Sequence, residues 1–103
     1  MIENKEQLCL LFEFYKDLLT ENQALCFEQY YFLDISLNEI AEQTNISKQA
    51  VKDTLDKAKN NLSKYETALG LAKKYFKFNE LKKKKETMRV QEYVIQLEKI
   101  FEE

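Results

Sequence analysis

Polar side chains that can contact nucleic acid recur along residues 48 to 60. If this segment is helical, Lys48, Lys52 and Lys59 lie along one flank, where they can contact phosphates. Gln49 has the donor and the acceptor for a bidentate pair with adenine, and Asp56 can accept a hydrogen bond from cytosine N4. The candidate nucleic-acid-binding residues are Lys48, Gln49, Lys52, Asp56, Lys59 and Asn60.

A second cluster of positive charge is the run from Lys82 to Lys85. Four successive residues point in all directions around a helix, so the run must occupy an exposed helical segment or a hinge. It is a candidate phosphate-contacting patch, although such runs are also common on solvated surfaces. The patch consists of Lys82, Lys83, Lys84 and Lys85.

The side chains of most catalytic and metal sites are missing from the sequence. It contains no histidine, which excludes a two-cysteine, two-histidine zinc finger and histidine-based acid-base catalysis. Cys9 and Cys26 lie inside apolar patterns and are interpreted as small core residues. A chain with one glycine cannot build a glycine-rich phosphate loop. We therefore expect no enzymatic activity, no cofactor and no metal.

Charge is distributed unevenly along the chain, although the net charge is only −2. Residues 1–36 hold two lysines and seven acids, residues 37–66 hold five of each, and residues 67–103 hold nine bases and six acids. This gradient suggests antiparallel self-association or a partner that contacts only the rear half. Ordinary surface charge is the alternative.

The elements that position these residues are predicted to be helices, because proline is absent and Gly70 is the only glycine. The first helix carries an apolar stripe, and Thr20 to Gln23 form a capping box that starts a second, very apolar helix. No apolar run approaches the roughly 18 residues that span a bilayer, and the start MIENKEQ lacks the basic flank of a signal peptide. We expect a cytoplasmic protein without membrane insertion. The apolar stripe of the first helix consists of Leu8, Leu11, Phe12, Tyr15, Leu18 and Leu19.

A helix-turn-helix is predicted over residues 36 to 66. Ser36 to Glu39 repeat the capping-box pattern and start a short helix that ends near Gln43. Asn45 tolerates the left-handed conformation of a turn, Ile46 is expected to plug the core, and Ser47 can cap the next helix. That helix is expected to run about 18 residues. Its apolar face consists of Val51, Leu55, Ala58, Leu62 and Tyr65.

The segment SLNEIAEQTNISKQAVKDTLDKAKNNL resembles region 4 of sigma factors. Over about residues 8 to 80, including LFEFYKDLLTENQALCFEQYYFLDISLNEIA and KYETALGLAKKY, the chain is similar to the YlxM family of Gram-positive and mollicute bacteria. The resemblance implies a DNA-binding helix-turn-helix protein. Through the family's association with the signal recognition particle genes, it also implies a regulator of that targeting pathway.

The fold expected from these patterns is an all-α bundle of five or six helices. Residues 1–66 are predicted to form a helical domain whose helix-turn-helix, residues 36–66, is a sigma region 4-type or winged-helix-like core. Residues 67–103 are predicted to be a C-terminal helical extension. An apolar stripe on the last helix must be covered, and we expect a homodimer to cover it. The alternative is packing within the same chain. The apolar stripe of the last helix consists of Val90, Tyr93, Val94, Leu97, Ile100 and Phe101.

Two functions remain open from the sequence. The first is a DNA-binding regulatory or accessory protein of the signal recognition particle pathway, with DNA, the particle's protein or its RNA as partners. The second is a protein-interaction module that does not bind DNA. It is favoured by Asp53 and Asp56, which lie on the exposed face of the second helix of the helix-turn-helix. A sigma-like or anti-sigma factor is disfavoured because no other sigma region accompanies the unit.

Overall fold

Every regular element of the computed structural model, which describes residues 4–102, is helical. Two short 3-10 turns follow α1 and α5, at Lys16–Leu18 and Lys85–Thr87, and a π-helical turn, Glu28–Phe32, continues α2. The prediction of an all-α protein is confirmed. The helices are α1 (Lys5–Tyr15), α2 (Glu21–Phe27), α3 (Leu37–Thr44), α4 (Lys48–Leu69), α5 (Leu71–Lys83) and α6 (Val90–Glu102).

The chain divides into two compact units, the first ending at Ala68 and the second beginning at Leu69. Gly70 separates α4 from α5 in a left-handed conformation with φ of 65°, which glycine adopts without a steric penalty. α4 has 22 residues rather than the expected 18 or so, because no proline or glycine interrupts it before Gly70. Among the described residues, no helix combines the length and apolar character that crossing a membrane requires.

The core of the first unit begins with the apolar face of α1. Asn4 starts the helix, since its Oδ1 accepts a hydrogen bond from the N–H of Glu6 at 2.8 Å. The predicted stripe is confirmed except at Leu18, which is exposed because the 3-10 turn breaks the register. The buried members are Leu8, Leu11, Phe12, Tyr15 and Leu19.

The capping box that starts α2 is confirmed, with Thr20 Oγ1 accepting from the N–H of Gln23 and Gln23 Oε1 accepting from the N–H of Thr20. Phe27 is fully buried and stacks on Phe12 with ring centroids 4.7 Å apart. Although its sequence is very apolar, this helix is not buried on all sides. The helix changes to a π-helical turn at Glu28, and side chains along it face solvent: Leu25, Tyr30, Phe32 and Leu33.

The second unit is a helical hairpin in which α6 packs on α5. Its buried side chains are Ala72, Leu81 and Ile100. The expected single stripe on α6 is therefore divided, which corrects the sequence prediction. Ile100 is buried and Tyr93 and Leu97 are half-buried, whereas the other members are exposed: Val90, Val94 and Phe101.

Candidate nucleic-acid interface

The turn between α3 and α4 is fixed by backbone and side-chain hydrogen bonds. Asn45 adopts the predicted left-handed conformation, with φ of 58° and ψ of 38°. The N–H of Ile46 donates to the carbonyl of Ala41 at 3.2 Å. Such a bond is typical of a helix that ends with a residue in the left-handed conformation. Ser47 caps α4 as predicted, because its Oγ accepts from the N–H of Ala50 at 3.0 Å. Together these bonds determine how α4 leaves the turn.

Two details of the helix-turn-helix differ from the sequence prediction. Ser36 caps α3 through the N–H of Glu39, but the Glu39 carboxylate accepts from the Ser36 hydroxyl at 3.1 Å instead of from the Ser36 backbone. The expected second capping box is therefore only half formed. Ile46 does not plug the core, since it is 48% exposed. The turn directs its side chain toward the rim of an open hollow rather than into the interior.

The inner face of α4 anchors the helix to the first unit. Val51, Leu55 and Ala58 are buried as predicted, and so is Leu62. The thiol of Cys26 also donates to the carbonyl of Val51 at 3.8 Å. Because the apolar residues hold one side of α4, the opposite side of its first four turns faces solvent.

The predicted binding residues all lie on the outward side and adjoining flank of this helix. Lys48, Gln49, Lys52 and Asn60 are exposed, whereas Asp56 and Lys59 are half-buried. We call this surface the α4 face, defined by residues 48, 49, 52, 53, 56, 59 and 60. It is a polar strip on a helix whose other side is fixed by the core.

Local interactions engage both aspartates of the α4 face. Gln49 Nε2 donates to Asp53 Oδ1 at 2.9 Å, and Lys59 Nζ lies 3.5 Å from Asp56 Oδ1. Asp53 therefore orients the amide proposed to read adenine, while leaving Gln49 Oε1 and the second amide N–H for other contacts. The i,i+4 spacing of Gln49 and Asp53 was the sequence signal for this bond.

Lysines on and beside the α4 face remain available for an anionic partner. Within the described part of the chain, no ion pair engages Lys48, Lys52 or Lys57, and all three are exposed. Asp56 partly neutralises Lys59. The first three turns of α4 thus present more free positive than free negative charge.

The lysine run lies in the second unit and does not form a single surface. Lys82 and Lys83 end α5, Lys84 caps it, and Lys85 starts the following 3-10 turn. Lys83 pairs with Glu80 at 3.2 Å, and Lys82 lies 5.7 Å from the centre of the Phe78 ring. All four side chains are exposed, as expected of an uninterrupted charge run.

The cysteines occupy positions that suppress their reactivity. Burial raises the pKa of the Cys26 thiol above its ordinary value. Desolvation also raises the pKa of Cys9, against an opposing effect of Lys5. A raised pKa disfavours the reactive thiolate. Cys26 is buried, as expected of a core residue, whereas Cys9 is only half-buried. Across residues 4–102, no cluster of cysteine and acidic side chains has the arrangement of a metal site.

Comparison with known proteins places this architecture in a family. The sequence profile described as "Putative helix-turn-helix protein, YlxM / p13 like" matches residues 2–101. A UPF0122 protein of Thermoanaerobacter sp. (strain X514) is 42% identical over 100 residues, covering 93% of this chain and 86% of the relative. A UPF0122 protein of Listeria welshimeri is 44% identical over 75 residues, which are 73% and 68% of the two chains. A UPF0122 protein of Desulforamulus reducens is 52% identical over 66 residues, or 64% and 56%. The chain therefore belongs to the UPF0122 family of YlxM / p13-like helix-turn-helix proteins.

Proposed function

We propose that this protein is a DNA-binding regulatory or accessory protein that places the α4 face in the major groove of duplex DNA. The observation that supports the proposal is the presentation of that face, since buried Val51, Leu55 and Ala58 hold α4 while Lys48 and Lys52 on it form no ion pair among the described residues. A helix anchored on one side with free lysines on the other suits the groove.

Each residue of the α4 face has a proposed role in this complex. Lys48, Lys52 and Lys59 contact phosphates, and Gln49, oriented by Asp53, reads a base edge. Asp56 accepts from cytosine N4, and Asn60 contacts the backbone beyond it. We assign these contacts to a helix-turn-helix of sigma region 4 type, within a domain covering residues 1–66.

A salt series with charge variants tests the proposal. Lys52→Ala should weaken binding to duplex DNA. Because one phosphate contact is lost, the slope of log K against log salt concentration should become shallower by about one. Asp53→Asn and Asp56→Asn should tighten nonspecific binding to duplex DNA and steepen its salt dependence, because each removes a repulsive carboxylate. Gln49→Ala should reduce the preference between sequences. Lys16→Ala and Asp17→Asn, on the exposed turn after α1, are the matched controls. If the α4 and control variants bound alike, the proposed face would be wrong.

A protein-interaction module is the second candidate, and a specific hollow favours it. Leu25 and Ile46, which are 50% and 48% exposed, line a hollow of about 220 Å³ beside the helix-turn-helix, together with buried Ile40 and Val51. An apolar side chain of a partner protein would fit there. Ile46→Asp should abolish such binding and leave DNA binding intact. The opposite pattern would exclude the hollow as a docking site.

We propose the signal recognition particle pathway as the cellular setting, on the strength of the resemblance to the YlxM family. Its protein or its RNA would be the partner. An RNA partner should engage the patch from Lys82 to Lys85, because the major groove of A-form RNA is too narrow for a helix. Copurification of the tagged protein from its host, with RNA and protein identified separately, tests this setting. Recovery of neither component would contradict it.

We further propose that the second unit is the dimerisation element of a homodimer. α6 exposes apolar residues, with Val90 80% and Phe101 65% exposed, and a unit of this size usually needs additional burial. α5 carries five lysines and one glutamate, whereas α6 carries three glutamates and one lysine. This complementarity favours α6 of one copy lying against α5 of the other.

A further inference from the structure

An open groove of about 560 Å³ lies at the start of the helix-turn-helix, outside the α4 face. Its walls come from the first residue of α1, the π-helical turn, the start of α3 and the first residue of α4. The residues that line it include Lys5, Tyr30, Tyr31, Asp34, Asn38 and Lys48.

The fold of the first unit holds the aromatic wall of this groove in place. Tyr31 contacts the buried Phe27 ring, with centroids 4.5 Å apart, and Tyr30 meets Tyr31 edge to face at 5.0 Å. The π-helical turn closes through a hydrogen bond from the N–H of Leu33 to the carbonyl of Glu28 at 3.1 Å. Tyr30 is therefore presented at the surface by residues that reach the core.

Hydrogen-bond donors and positive charge predominate in the groove. Lys5, Lys48, the tyrosine hydroxyls and the Asn38 amide are the kinds of groups that contact DNA phosphates. Asp34 is the acidic residue of the lining, and its Oδ1 lies 3.6 Å from Lys5 Nζ in a largely exposed ion pair. Such a pair is weak and can be replaced by a phosphate.

Lys48 connects the groove to the α4 face, because it lines the groove and also begins α4. A DNA strand whose phosphates contact Lys48 would thus pass directly to the tyrosine wall. We propose that this groove binds the sugar-phosphate backbone of the duplex next to the segment that α4 reads. Lys5 and Tyr30 contact phosphates there, and the Lys5–Asp34 pair opens on binding. The proposal rests on the DNA-binding function proposed above.

Binding of a labelled duplex to the full chain, measured across a salt series, tests this inference. Lys5→Ala should weaken binding about three- to tenfold and reduce the salt slope by about one. Tyr30→Phe should weaken binding about fivefold, the loss expected for one hydrogen bond, without changing the slope. Asp34→Asn should tighten binding because it frees Lys5. Lys16→Ala, on the exposed 3-10 turn after α1, should match the unaltered protein.

The results of these measurements distinguish the groove proposal from the proposal that the α4 face binds DNA. If Lys52→Ala weakens binding while Lys5→Ala and Tyr30→Phe behave like Lys16→Ala, the groove proposal is wrong and DNA binding by α4 stands. If the groove variants weaken binding to RNA alone, the assignment of duplex DNA to the groove is overturned. Absence of duplex binding by the unaltered protein at low salt rejects both proposals. Circular dichroism of each variant checks that the helices are retained.

Discussion

The two units of this protein differ in how they bury their apolar side chains. Twelve of the buried apolar residues among the described positions belong to the first unit, and three belong to the second. The first unit therefore has a core that fixes the α4 face and the groove beside it. Among the described residues, the first unit exposes six large apolar side chains and the shorter second unit exposes eight. This greater exposure suits an element completed by another copy. The two units are therefore suited to different tasks. The core of the first unit holds the α4 face in place, whereas the second unit leaves apolar side chains for another copy to bury.

The largest effect that this comparison predicts is on stability. Phe27→Ala should lower the free energy of unfolding by about 3–5 kcal/mol, because it removes a fully buried ring that stacks on Phe12. Phe76→Ala, at an exposed position of α5, should cost less than about 1 kcal/mol in the monomer. Urea denaturation followed by circular dichroism measures both. Equal losses would remove the distinction between the two units.

The proposed dimer gives the next largest effect. Val94→Glu places a carboxylate on the exposed apolar side of α6 and should raise the dimer dissociation constant by at least about 30-fold. Gln91→Glu, also exposed on α6, adds the same charge and serves as the control. Sedimentation equilibrium at micromolar concentration measures the constants. An unaltered protein that sediments as a monomer would contradict the dimer.

A smaller effect concerns the turn that presents α4. Asn45→Ala should cost about 1 kcal/mol, because alanine is strained at a φ of 58°. Asn45→Gly should be nearly neutral, since glycine adopts this conformation freely. Thermal unfolding distinguishes the two variants. Equal destabilisation by both would mean that the asparagine side chain, rather than its backbone conformation, matters at the turn.

The smallest effect is a pH dependence that reports on the first unit alone, because both cysteines lie there. The folded state raises the pKa of the Cys26 thiol by burial, so the unfolded chain loses this proton first as the pH rises. The free energy of unfolding should therefore be constant below the thiol's ordinary pKa and fall as the pH rises above it. Urea denaturation between pH 7 and 10 measures the decline.

Cys26→Ala is the control for this pH dependence. It should lower stability at every pH by removing a buried group, and it should also flatten the decline. An unchanged decline in that variant would assign the pH dependence to another group.

Local sequence signals predicted much of the first unit. The Thr20 capping box, the left-handed Asn45 and the Ser47 cap depend on neighbouring residues, and the structure confirms all three. The buried face of α4 was also predictable, because helical periodicity alone identifies it. All six predicted contact residues consequently lie on the outward side or adjoining flank of that helix.

Features that depend on distant contacts were not predictable. The exposure of Ile46 follows from the direction of the turn, and the division of the α6 stripe follows from packing against α5. The groove combines Lys5, Tyr30 and Lys48 from three parts of the chain, and no spacing in the sequence joins them. The π-helical turn that positions Tyr30 has no distinctive local pattern either.

The most direct test of the central claim is to map where duplex DNA contacts the full chain by backbone amide chemical shifts. Titration with a short duplex at low salt should shift the amides of residues 48–60 and those that line the groove. Residues 90–102 should remain unchanged apart from effects of dimerisation. Shifts confined to the second unit, for example at Lys82 to Lys85, or no shifts at saturating DNA, would contradict DNA binding by the α4 face.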